Sequence, residues 1–272
     1  MENQLLSKFD ITKDGILQII KPNENDIVYL SGSIAEGFGN EGSDLDIYII
    51  TYDSYGHTDE TLPYQIMSYG REYTFTGQKI LLSGFYIQKD VFSMLLKDIE
   101  FKIRNKQIMD LSNKLIELYH RIYKGIPLHN ESGFNQLKAN LNTDLFIKNL
   151  CLNRLVYSEN RHNDAVGALK SADIWTAYLS AKISLEKSID GLLISKGETN
   201  PSDKWLFRRL FSLYSPEDEW VKEFMNCYMG SKELSNLKDS TVEMLRLANR
   251  IRLMGYESYN SLNQSQTGEY ST

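Results

Sequence analysis

Residues 26–50 read DIVYLSGSIAEGFGNEGSDLDIYII, and this stretch decides the fold. An apolar run, Ile27-Val28-Tyr29-Leu30, ends in Ser31-Gly32-Ser33. Further on, Ser43-Asp44-Leu45-Asp46 opens a second β-rich run, Ile47 to Ile50. Side chains alternate across a strand, so acids at i and i+2 share one face. That spacing directs Asp44 and Asp46 at one divalent cation, or a pair of them, at the strand's edge. The Gly32-Ser33 pair opens the intervening turn and helix, whose free N–H groups can hold phosphate. A phosphate cradle opposite a carboxylate pair suits metal-assisted phosphoryl chemistry.

The pattern resembles the signature of the polymerase-beta-like nucleotidyltransferase superfamily: an apolar strand, Gly-Gly or Gly-Ser, about a dozen residues, then Asp, an apolar residue and Asp or Glu. Gly32 and Ser33 match its first half and Asp44-Leu45-Asp46 its second, with Ser43 before the first acid. The resemblance implies an α+β fold, in which a small mixed-sheet core is followed by an all-α helical bundle. The kanamycin-nucleotidyltransferase branch has that architecture, and Trp175 to Lys187 with the later Lys204-Trp205 is similar to its long helix and Lys-Trp segment. It further implies Asp44 and Asp46 as catalytic and metal-binding residues for Mg²⁺ or Mn²⁺. Gly32, Ser33, Ser43 and Lys204 are implied as nucleotide contacts. A nucleoside triphosphate, ATP by expectation, is the co-substrate, and the acceptor is a hydroxyl of a small molecule such as an aminoglycoside-type antibiotic.

Composition narrows the classes. The chain has 272 residues, enough for one large or two modest domains. A net charge of −6 argues against a polynucleotide as the main ligand, since such proteins carry a basic surface. The compact basic run is Lys204-Trp205-Leu206-Phe207-Arg208-Arg209, where Lys204 and Arg208 share a helix face and read either as phosphate contacts or as solvated cations. No apolar stretch approaches the ~20 residues that span a bilayer. The N-terminus lacks a signal-peptide pattern, so a cytoplasmic location is expected. Cys151 and Cys227 have no spaced partners and read as free buried thiols. His57, His120, His129 and His162 form no metal spacing. A homodimer is left open.

Periodicity divides the chain. Up to about residue 105, helix and strand signals alternate: helices over ENQLLSKF and Gly15 to Lys21, the strands around Gly32 and Asp46, a polar link from Tyr52 to Thr61, strands at Arg71 to Thr76 and Lys79 to Gln88 turning at Gly77-Gln78, and a helix from Lys89. From 106 to 255 the pattern is helical, beginning with Ile108, Leu111, Leu115, Ile116, Leu118, Tyr119 and Ile122 and halted by Gly125-Ile126-Pro127. Helices are expected over Asn135 to Tyr157, Ala165 to Ser195, Pro216 to Tyr228 and Glu233 to Met254, with no strand after Gln88. Residues 256–272 read as a mobile polar tail.

Two positions depart from the family pattern. A third acid is expected from a later strand, and the register places it at Ser83, which carries no carboxylate. Glu72 reaches the site only under a different strand order. Glu36 stands where many members carry Arg, and an acid facing a triphosphate would repel it. Asp144, Glu159 and Asp164 are candidates for a general base, none of them assigned. A slow enzyme is therefore one expectation. A degenerate member that binds nucleotide as a sensor or antitoxin-like partner is the other, and RNA tailing ranks last.

Overall fold

The computed structural model describes residues 6–52, 64–76, 80–230 and 236–267, with side chains to residue 262. The chain forms two compact units: 1–105 with 111–142, and 106–110 with 143–272. The first unit therefore runs well past the expected boundary at 105.

In the first unit, helix α1 (Lys13–Ile20) starts at Thr12, whose hydroxyl accepts from the Gly15 N–H at 3.1 Å. Strand β1 (Ile27–Ser31) leads into the single turn α2 (Gly32–Ala35), and β2 (Leu45–Thr51) follows. Strands β3 (Tyr64–Met67), β4 (Gly70–Phe75) and β5 (Leu82–Gln88) precede α3 (Lys89–Arg104), α4 (Asn113–Tyr123), β6 (Ile126–His129) and α5 (Glu131–Ala139). The sheet order is β3-β4-β5-β2-β1-β6, with β2 and β5 parallel and the other pairs antiparallel. A mixed sheet was expected. Strands β3 and β6 were not, because four residues give too short a pattern to register, and Pro127 disguises β6. Pro127 is tolerated there because β6 is the sheet's edge, where an N–H can be spared.

Alternation sorts the two faces. Val28, Leu30, Leu45, Ile47, Ile49, Tyr73, Phe75, Leu82 and Tyr86 join Ile16 and Ile20 of α1 in one core. The opposite face carries Tyr29 and Ser31, Asp46 and Tyr48, Ser83 and Phe85, and Glu72 and Thr74, aligned across four strands by the pairing register. Its aromatic row stacks, with ring centroids 5.3 Å apart for Tyr29–Tyr48 and 4.8 Å for Tyr48–Phe85. Helix α3 packs against β2 and β5, and α5 against β1.

The second unit is helical in its described residues: α6 (Thr143–Lys170), α7 (Ile174–Ser195), α8 (Leu206–Leu213), α9 (Glu219–Met229) and α10 (Leu237–Thr267). Helices α6 and α7 approach closely because Ser158 and Ser184 donate to each other's carbonyls at 2.8 Å. Gly191 and Gly255 leave room for Leu155. Asp190 is buried between Arg209 at 2.8 Å and Arg154 at 3.1 Å. Helix α10 continues to Thr267, correcting the reading of a mobile tail from 256. Of the other expected features, the first half of the opening helix, most of the Tyr52 to Thr61 link and the Gly77-Gln78 turn lie outside the described residues. Cys151 and Cys227 are buried thiols, as expected.

Candidate functional site

The site is built at one end of the sheet. Ser31 pairs with Asp46, and Asp46 with Ser83, so the Gly-Ser turn, the second acid and the expected third-acid position lie in one row. Asp44 stands just before β2 and accepts from the Ser83 hydroxyl at 3.0 Å. Gly32 has φ +84, and a Cβ placed there would lie 1.8 Å from Asp46 Oδ2. Only glycine lets the chain turn here with the carboxylate against it. The structure thus gathers Asp44, Asp46, Gly32 and Ser83 at one end of the sheet.

Asp46 is half-buried, and among the described residues no hydrogen bond compensates its charge. Burial lifts its carboxyl from the ordinary range to about 6; Arg121 pulls the other way, while Asp44, Glu117 and Glu72 add to the rise. Arg121 comes from α4, a segment sequence reasoning assigned to the bundle. Its Nη1 lies 4.0 Å from Asp46 Oδ2 and 3.8 Å from Glu36 Oε1, and its Nη2 2.9 Å from Glu117 Oε1. Burial opposes its charge, but Tyr48, Asp46 and Glu117 hold the guanidinium firmly protonated. No local sequence signal marks it; in HRIYK it reads as an ordinary helix cation.

Glu36 corrects another expectation. Its side chain is 5% exposed and turned inward, with Oε1 3.1 Å from His120 Nε2, so its charge is offset by α4 rather than aimed at a phosphate. Glu72 corrects a third. The strand order places β4 next to β5, and the row Glu72–Phe85–Tyr48 puts Glu72 on the site's face. Burial raises its carboxyl, contact with the Ser83 hydroxyl lowers it, and Asp44 raises it. The acid absent from β5 has a neighbour one strand away.

Ser43 is engaged within its own loop: its Oγ accepts from the Asn40 N–H at 2.9 Å. The Ser33 carbonyl accepts from Phe38 at 2.7 Å and Gly39 at 2.8 Å, closing the turn after α2. Lys204 belongs to the second unit, with Nζ 4.9 Å from the Trp205 ring centroid. Arg208 covers the same ring at 5.5 Å, and Arg209 is a structural ion-pair partner of Asp190. Asp164 pairs with Arg161 at 2.9 Å, and Glu159 lies 3.5 Å from the Tyr256 hydroxyl. An open depression of about 530 Å³ in the helical unit is lined by Glu219, Lys222, Glu223, Asn226, Cys227 and Glu243. Its acids are spread over two helices, and none of the sequence candidates falls there.

Among the described residues no group of three or more His, Cys, Asp or Glu is arranged to hold a metal. Two carboxylates still fit Mg²⁺, which keeps several waters and is bound through one or two carboxylates plus substrate phosphates. The half-buried Asp46 carboxyl, pushed up to about 6, is a hard oxygen donor short of positive charge.

No protein-family model matches the chain, and no curated protein matches it. A solved structure described as a nucleotidyltransferase-like protein from Exiguobacterium sibiricum 255-15 is similar at 12% identity, covering 96% of this chain and 80% of that one, with a TM-score of 0.46.

Proposed function

We propose that the chain is a metal-dependent nucleotidyltransferase that moves a nucleoside monophosphate from a triphosphate, ATP by expectation, to a hydroxyl of a small molecule. One observation carries the reading: Asp46 in β2 lies against the missing Cβ of Gly32, and Asp44, just before β2, is held by the hydroxyl of Ser83, the residue that pairs with Asp46. Asp44 and Asp46 hold the cation, and Ser83 orients Asp44 through its hydroxyl. When bound, Mg²⁺ offsets charge on the transferred phosphoryl group. The acceptor oxygen bonds to the α-phosphorus, the bond to the β-phosphate oxygen breaks, and pyrophosphate leaves. Glu72, the third carboxylate of that face, is the group best placed to receive the acceptor's proton. An aminoglycoside-type acceptor belongs to this reading as its first substrate class to try.

The alternative, a protein that binds nucleotide without transferring it, is favoured by the two-carboxylate anchor, since no third ligand converges among the described residues. Pyrophosphate release separates the two. With Mg²⁺, each nucleoside triphosphate and a panel of amino sugars, acceptor-dependent release that Asp44→Asn abolishes supports transfer. Nucleotide binding without release under any acceptor supports the binding role.

A further inference from the structure

We propose that Arg121 is the polyphosphate-binding side chain of this site and, until nucleotide arrives, the counter-ion of Asp46; the inference rests on the nucleotide reading above. Arg121 reaches the site from α4, beside the turn and not within it. Its Nη2 is bonded to Glu117, but Nε and Nη1 are buried without a hydrogen-bond acceptor among the described residues. At 3.8 Å and 4.0 Å, Glu36 and Asp46 attract Nη1 without accepting from it. Buried donors are nearly always satisfied, and a guanidinium's fork matches the oxygens of a phosphate. Asp46 Oδ2 adjoins the Gly32 turn and lies 4.0 Å from Arg121 Nη1, so a phosphate passing over that turn comes within the fork's reach. Helix α2 is one turn long and cannot supply an appreciable dipole, so the anion requires a real cation. Arg121 is that cation.

The arrangement exchanges charges. Without nucleotide, Arg121 offsets part of the Asp46 charge and competes with a divalent ion for it. A metal–polyphosphate would bring both signs together: Asp44 and Asp46 would hold the metal, and Arg121 would turn to the phosphate oxygens. Binding of the metal alone and of the metal with polyphosphate therefore respond oppositely to loss of Arg121.

Calorimetric titration of the full chain with Mn²⁺ alone, Mn²⁺ plus inorganic tripolyphosphate, and Mn²⁺ plus ATP tests this. Arg121→Gln should bind Mn²⁺ alone more tightly, yet bind both polyphosphates about tenfold or more weakly, as expected for lost hydrogen bonds to a charged group. Arg121→Lys should fall between. Glu117→Gln, at a half-exposed position, releases Nη2 and should bind polyphosphate at least as tightly as the wild type, which keeps the test valid if Arg121→Gln does not fold. Equal polyphosphate affinity in the wild type and both Arg121 variants overturns the role of Arg121 while leaving the nucleotide reading intact. So does weaker binding by Glu117→Gln. No polyphosphate binding by the wild type removes both.

Discussion

Asp46 faces Arg121 across 4.0 Å and touches the empty side of Gly32, so three residues define the corner proposed to bring a phosphate and a cation together. Asp44→Asn and Asp46→Asn should each abolish divalent-dependent nucleotide binding. In Asp46→Asn the thermal midpoint should change little, because relief of a half-buried carboxylate is offset by the charge lost opposite Arg121. Differential scanning fluorimetry with and without Mn²⁺ and ATP reads both effects. Unaltered binding in both variants would remove the site. At Gly32, alanine meets a positive φ and the Asp46 carboxylate together. Gly32→Ala should cost about 1–3 kcal/mol of stability and displace Asp46, weakening nucleotide binding more than tenfold. Wild-type affinity in a folded Gly32→Ala would place the cradle elsewhere. These residues were legible because the i, i+2 acids and Gly-Ser are local patterns. Arg121 and Glu72 were not, since each reaches the site by topology: one from a later helix, the other by lying one strand over.

At the scale of elements, the register of β2, β5 and β4 decides the site's acidity. The parallel pairing of Asp46 with Ser83 agrees with the position deduced for the third acid, and Ser83 fills it with a hydroxyl. Ser83→Asp would put a buried carboxylate against Asp44. It should lower the metal-free midpoint, by about 1–3 kcal/mol for a poorly compensated polar group, and Mn²⁺ should recover most of the loss. A metal-independent midpoint would show that the Ser83 position does not face the cation. In α7, Asp190 is a structural element of a different kind. Burial pushes its carboxyl up, but Arg209, Arg154 and Lys187 outweigh that and hold it below the usual range. A depressed carboxyl stabilises the fold above its unfolded value, about 4, and that stability is lost as pH falls through the folded value. Asp190→Asn leaves two buried guanidiniums short of charge and should cost about 3–5 kcal/mol at neutral pH, on the order of 10 °C. The gap from the wild type should close below about pH 4. A gap that persists unchanged in acid would contradict the ion pair's role.

Across the whole molecule, the class was readable and the partition was not. Alternating apolar runs announced a mixed sheet, and long 3.6-residue periodicity announced a helical region. The boundary slipped because α4 has the same periodicity as the later helices, although its Ile116, Tyr119 and Ile122 are buried in the first unit. What reveals its membership is β6, a four-residue edge strand that antiparallel pairing with β1 captures. A fragment ending at residue 142 should therefore unfold cooperatively, whereas one ending at 105 loses β6, α4 and Arg121 and should not; circular dichroism melts distinguish them. The central claim is that Asp44 and Asp46 anchor a divalent cation for a nucleoside triphosphate. The most direct measurement is anomalous scattering at the manganese edge from crystals grown with Mn²⁺ and a non-hydrolysable ATP analogue. A peak within coordination distance of both carboxylates and of phosphate oxygens is the predicted result; bound nucleotide with its manganese away from Asp44 and Asp46 would contradict it.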